Sequence, residues 1–160
     1  MPKDSTPTRL AILAAAQQAL KRGGLDDFSI ETVARRAGVA KGLVLYHYGS
    51  RRRLLQRCGA ELAGERVRRL HQALTSNEGA AGVDALWTEL LRQEADGTAR
   101  AWLGLAAAGY APSAGPQDFE ARARATILDG CAAALAANGH HVELRDAFNA
   151  LWLALLEVVE

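Results

Sequence analysis

Cysteine is scarce in this 160-residue chain: Cys58 and Cys131 stand far apart and in no C-x-x-C pair. Two isolated thiols build neither a disulfide framework nor a zinc site. Each lies in a helix-like stretch and is expected to be a small packing residue. Long apolar runs are missing as well. Nothing approaches the ~18 consecutive apolar residues of a membrane-spanning helix, so no membrane partner is expected. The polar start MPKDSTPTRL holds no apolar stretch with a cleavage site and reads as a short disordered arm of a cytoplasmic protein. Strand signals are almost absent: there is no sustained β-branched alternation and no Asn-Gly turn. Nucleophile elbows, P-loops, dinucleotide fingerprints, H-E-x-x-H and clustered carboxylates do not occur, so neither an enzyme nor a cofactor or metal is expected. His140 and His141, adjacent and following Asn138-Gly139, read as a turn rather than a metal site.

Hydrophobic residues make up 49% and charged residues 23%, ordinary for a soluble globular protein. The net charge of +1 conceals an asymmetry. Residues 1–75 hold 14 Lys and Arg against 6 Asp and Glu, whereas residues 76–160 hold 5 against 12. A basic half and an acidic half suggest that one part faces a polyanion and the other does not.

Helical periodicity runs through nearly the whole chain and predicts an all-α fold. Helices are expected over residues 8–22, ended by Gly23-Gly24, over 30–37 with Ser29 as N-cap, over 41–48, and from about 50 to 74. The stretch TSNEGAAG at 75–82 is the sharpest break. Beyond it helices are expected over 83–94, 98–110, 117–138 and 142–160, with a loop at 111–115.

The run from Ser29, SIETVARRAGVAKGLVLYHYGS, meets the requirements of two short helices joined by a tight turn. Ala34 is small where the second helix must cross the first. Gly38 supplies a residue tolerant of positive φ. Val39 and Val44 plug the interior, and Ile30, Val33 and Ala37 complete the inner face of the first helix. The outward positions of the second helix are Lys41, Gly42, Leu43, Leu45, Tyr46 and His47. Arginines flank it, Arg35 and Arg36 before and Arg51, Arg52 and Arg53 after. A short, weakly charged helix between basic flanks suits insertion into a major groove with phosphate clamps on either side.

Residues 9–55, through "ILAAAQQAL", the run from Ser29, and Leu54-Leu55, resemble the N-terminal domain of TetR-like (tetracycline-repressor-like) transcriptional regulators. The resemblance implies a three-helix helix-turn-helix DNA-binding domain, residues 1–50, and a helical effector-binding and dimerisation domain, residues 51–160, connected by the helix at about 50–74. It implies a homodimer and places base or near-base contacts at Lys41, Gly42, Leu43, Leu45 and Tyr46. Phosphate contacts fall on Ser29, Thr32, His47 and Arg51. The chain departs from the family pattern at Ala40, where Ser or Thr is usual, at Arg51, where Lys is usual, and at Leu43 and Leu45, where Thr and Tyr are common. Two leucines suggest contact with thymine methyls in place of hydrogen-bonded readout. A chain ending at Glu160 is short for the family, which implies a cut last helix or further chain.

All three tryptophans lie beyond the break. Trp87, Leu91, Trp102, Leu105, Tyr110, Phe119, Ile127 and Phe148 are expected to line an apolar ligand pocket, with Asn149, His71 and Glu94 as candidate polar handles. The last helix carries Phe148, Leu151, Trp152, Leu155, Leu156 and Val159 as one unbroken stripe. The helix before it has the small run at 130–134. Cys131, Leu135, Leu151, Trp152, Leu155, Leu156 and Val159 are therefore expected at a four-helix dimer interface. The partners expected are an operator duplex, a second copy of the chain and a small, largely apolar effector that releases a repressor. Two other readings remain open: a DNA-binding regulator without an effector, and a helical interaction protein that has lost DNA binding.

Overall fold

The computed structural model describes residues 6–77, 80–110, 119–139 and 142–157, with side chains for all of these but 119–124, 138 and 155–157. Among the described residues there are eight helices and no strand: α1 (Thr6–Gly23), α2 (Ile30–Ala37), α3 (Lys41–Tyr48), α4 (Arg51–Thr75), α5 (Ala80–Ala95), α6 (Thr98–Ala107), α7 (Phe119–Asn138) and α8 (Val142–Glu157). The expected all-α class holds. Residues 1–5 of the expected arm, the loop at 111–115, and His140 and His141 lie outside the described residues.

Glycine sets two boundaries that periodicity misplaces. α5 begins at Ala80 because Gly82, expected in the loop, lies inside the helix and is buried. A Cβ on Gly82 would come within 3.2 Å of the Leu74 and Asn77 carbonyl oxygens, a tight approach that glycine avoids. α6 stops at Ala107 rather than residue 110. Gly109 takes φ +74° and the Tyr110 amide returns to the Leu105 carbonyl at 2.8 Å, closing the helix.

Packing divides the chain into two compact units, residues 1–63 with 100–112 and residues 64–99 with 113–160. The boundary between the two units falls inside α4. Leu54, Leu55, Cys58 and Leu62, on its first half, are buried in the core of the first unit. That core also takes Ile12, Leu13, Ala16 and Leu20 from α1, Phe28 from the connection, Val33 and Ala34 from α2, Val44 from α3, and Ala101 and Leu105 from α6. Each large aliphatic side chain so buried stabilises the unit by roughly 1.5–3 kcal/mol relative to exposure.

The core of the second unit gathers Leu70 of α4, Val83, Leu86, Trp87 and Leu90 of α5, Leu128, Cys131 and Leu135 of α7, and Phe148 and Trp152 of α8. Phe148 sits between two indoles, 5.4 Å from Trp87 and 5.7 Å from Trp152 by ring centroid. Beside this cluster runs a partly buried polar network. Arg66 donates to Gln93 Oε1 at 2.9 Å and to Asp129 at 2.8 Å. Arg69 pairs with Glu89 at 2.6 Å and with Asp96 at 2.8 Å, and Gln93 donates to Glu89 at 3.0 Å. Among the described residues no helix is long and apolar enough to cross a membrane.

Candidate nucleic-acid interface

The helix-turn-helix is fixed at each of its joints. Ser29 is extended at φ −136° and ψ 155°. Its Oγ accepts the Thr32 amide at 3.0 Å and donates to Thr32 Oγ1 at 2.9 Å, capping α2. Gly38 closes α2 in the left-handed region, φ 67° and ψ 32°. The Gly38 amide then returns to Arg35 O at 3.4 Å and the Val39 amide to Ala34 O at 3.0 Å. Ala34 is buried, Val39 packs on the core, and Val44 is wholly buried. The interior residues expected for the motif therefore occupy the interior.

The outer face of α3 follows from the same register. Val44 and Tyr48 are its buried residues. At about 100° per residue, Gly42 and Tyr46 lie opposite Val44, with Leu43 and Leu45 on the shoulders. Exposure agrees: Tyr46 is 80% exposed, Leu43 37% and Leu45 36%. A Cβ on Gly42 would meet nothing within 4 Å, so the centre of this face is bare backbone beside one projecting phenol. Lys41 is exposed, and His47 is half-buried with its ring edge-on to Tyr46 at 5.3 Å. Ala40 precedes α3 and provides no side-chain cap to its first amides.

Arg51, expected among the phosphate contacts, is exposed at the start of α4. Its Nε and Nη2 donate to Phe28 O at 3.4 Å, Nη2 also reaches Leu25 O at 3.4 Å, and the guanidinium lies 5.6 Å from the Phe28 ring centroid. These contacts join the side chain to the connection that leads to Ser29. Arg35, Arg36, Arg52 and Arg53 are exposed around α3. Sequence reasoning missed two further contacts. Glu31, in the first turn of α2, pairs with Lys41 at the start of α3, and the Lys41 hydrogen bond is the largest influence lowering the Glu31 pKa. Tyr48 donates its hydroxyl to the Arg9 carbonyl at 2.8 Å, and burial pushes its pKa up.

The expected pocket residues belong to two different cores. Trp87 and Phe148 are core of the second unit, with Leu91 and Ile127 packed against it, whereas Leu105 and Tyr110 belong to the core of the first unit. Trp102 is half-buried and also falls in the first unit, while the Phe119 side chain lies outside those described. Of the polar candidates, Glu94 shares a groove of about 190 Å³ with Leu91 and Leu135, and Asn149 lines one of about 130 Å³ beside Leu153. His71 is exposed. A larger groove, about 530 Å³, is polar and lined by Arg69, Gln72, Thr88, Glu89 and Arg92 among others.

The expected dimer face also divides. Cys131, Leu135 and Trp152 are buried in the second unit's own core, because the inner stripe of α8 already packs on α5 and α7. Leu151 is 53% exposed and Leu153 54%. The side chains of Leu155 and Leu156, and Val159 altogether, lie outside the described residues.

Residues 12–58 match the family described as bacterial regulatory proteins, tetR family. No curated protein matches the chain. Three solved structures share its fold. The multidrug binding protein EbrR, solved with imidazole, superposes with a TM-score of 0.57 at 20% identity, over 91% of this chain and 89% of its own. A Shewanella sp. PV-4 protein assigned to the TetR family gives 0.58 at 20% identity, over 92% and 97%. A Rhodococcus sp. protein with the same assignment gives 0.59 at 21% identity, over 96% and 100%.

Proposed function

We propose that this chain, a TetR-like regulator by the N-terminal domain its residues 12–58 match and by its fold, is a sequence-specific repressor that binds its operator as a homodimer. The observation that carries the proposal is the α3 face: a capped, tightly turned motif presents Gly42, Leu43, Leu45 and Tyr46 outward, with four exposed arginines around them. In a two-fold dimer, two such helices would enter successive major grooves about 34–36 Å apart. Ser29, Thr32 and the uncapped start of α3 would face phosphates. Leu43 and Leu45 would contact thymine methyls.

Release by a small, largely apolar ligand bound in the second unit completes this reading. Such a ligand shifts the protein only by its differential affinity for the DNA-bound and released states. α4, whose residues are shared between the two units, is the element through which the shift would pass. A regulator without an effector is the second reading. It is favoured by the packing of Phe148 against Trp87 and Trp152, which takes up two of the expected pocket residues, Trp87 and Phe148, in the core.

The test is a titration of duplex fragments, including the sequence upstream of the protein's own coding region, at several salt concentrations. Affinity well above that for random duplex is expected. Tyr46→Ala should cost about 1–3 kcal/mol on the specific site. Affinity no better than for random DNA would sink the proposal.

A further inference from the structure

We infer that Glu31 is an affinity-setting residue: its carboxylate holds the Lys41 ammonium, so that docking on DNA is an ion-pair exchange at this position and not the addition of a free cation. The inference rests on the reading that the α3 face meets DNA.

Residues 29–53 contain six basic side chains, Arg35, Arg36, Lys41, Arg51, Arg52 and Arg53, and a single acidic one, Glu31. That one carboxylate is bonded to the lysine that opens α3. Helix electrostatics give half of the pair a local reason. A carboxylate in the first turn of α2 is favoured by the α2 dipole, whereas an ammonium at the first position of α3 is disfavoured there. Lys41 is therefore poorly placed to stabilise its own helix and well placed to meet a phosphate or a base edge, and Glu31 neutralises it meanwhile. Both side chains are more than half exposed, so the pair is weak and water can separate it.

Exchange has a signature that a free cation lacks. A free lysine meeting a phosphate releases one condensed counterion, which steepens log K against log salt by about 0.9. When the lysine must first leave a carboxylate, that carboxylate takes up a cation from solution, and the two changes in ion uptake oppose each other. The wild-type protein should thus bind duplexes less tightly, and with a shallower salt dependence, than its count of basic residues implies.

The experiment compares wild type, Glu31→Gln, Lys41→Ala and the double variant. Each is titrated against a random-sequence duplex and against the operator fragment from about 50 to 200 mM salt. Glu31→Gln should bind both duplexes roughly two- to fivefold tighter, the range of an exposed ion pair, and its salt slope should steepen by up to about 0.9. The gain should vanish in the double variant. Unchanged affinity and slope in Glu31→Gln would overturn the inference. So would an equal gain in the Lys41→Ala background, since then only the bulk charge matters. Thermal unfolding of each variant separates these outcomes from loss of α2. Because the random duplex reports on Glu31 by itself, failure to find an operator would refute the repressor reading and leave the Glu31 result standing.

Discussion

The two units bury different kinds of side chain. Among the described residues, the buried core of the first unit is aliphatic and aromatic, with Tyr48 its one hydroxyl-bearing member, satisfied by the Arg9 carbonyl. The buried polar and charged residues, Arg66, Glu89, Gln93 and Thr98, all belong to the second. An apolar core gains by every methylene it excludes from water and is tolerant of nothing else. A buried ion network gains little net stability, because desolvation offsets the attraction, but it penalises any arrangement in which a partner is lost. The first unit is thereby suited to hold α3 in one pose. The second adds to its own apolar core a set of contacts that are costly to break one at a time.

The largest test of this contrast sets one core against the other. Phe148→Ala should remove about 3–5 kcal/mol and Leu54→Ala about 2–5 kcal/mol, read by chemical denaturation. Comparable losses mean both cores are solid. A loss below about 1 kcal/mol for Phe148→Ala alone would mean that the space around it is loosely filled, which would support the apolar pocket expected at Trp87 and Phe148. Glu89→Ala comes next. Its carboxylate is bonded to Arg69 and Gln93 and lies near Arg92, so removal leaves the arginine and amide donors without that acceptor and should cost about 3 kcal/mol. DNA binding at low temperature should survive it. If the variant is instead as stable as wild type, the network is solvated and the contrast between the units dissolves.

What the sequence made legible follows the same division. The motif was readable residue by residue because its requirements are local: a cap at Ser29, a left-handed turn at Gly38, a filled interior at Val44. The outward register of α3 came with them. The contacts of Arg51 and Glu31 did not, since they depend on which side chains lie across a turn, and Glu31 and Lys41 are ten positions apart. The second half was readable only as amphipathic helices. An apolar stripe on α8 says that a face will be covered, not whether its own chain or a second copy covers it, and Trp152 proves to be used internally. Leu105 and Tyr110 were grouped with the tryptophans by composition, yet they pack in the first unit, because a helix can serve two cores and composition does not say where it changes allegiance.

Gly38 offers a smaller and cleaner effect. A methyl there meets nothing within 4 Å, so the cost of Gly38→Ala comes from the left-handed backbone alone and should be about 1–2 kcal/mol. Because the strain sits in the turn between α2 and α3, operator binding should weaken beyond what the loss of stability predicts. Gly109→Ala, at the equally open end of α6 with φ +74°, should cost a similar amount without that excess. Equal DNA affinities for the two variants at matched folded fraction would show that the turn does not set the pose of α3.

The smallest contrast is between the two thiols. Burial, aided by the nearby Glu61 carboxylate, pushes the Cys58 pKa up to about 12 in the first unit, while burial alone raises that of Cys131 in the second. At pH 8 a thiol of pKa 12 is ionised to only about one part in ten thousand, and the thiolate is the reactive form. Alkylation of the folded protein with iodoacetamide should therefore be slow at both sites and slower at Cys58, with the two rates converging in denaturant. The order matters more than the rates. Cys58 lies among Leu54, Leu55 and Leu62 on the half of α4 that belongs to the first unit's core, so it reacts only when that core opens. If Cys58 were labelled before Cys131, the first unit would be the more frequently opened of the two, and its apolar core would not be the better hold on α3.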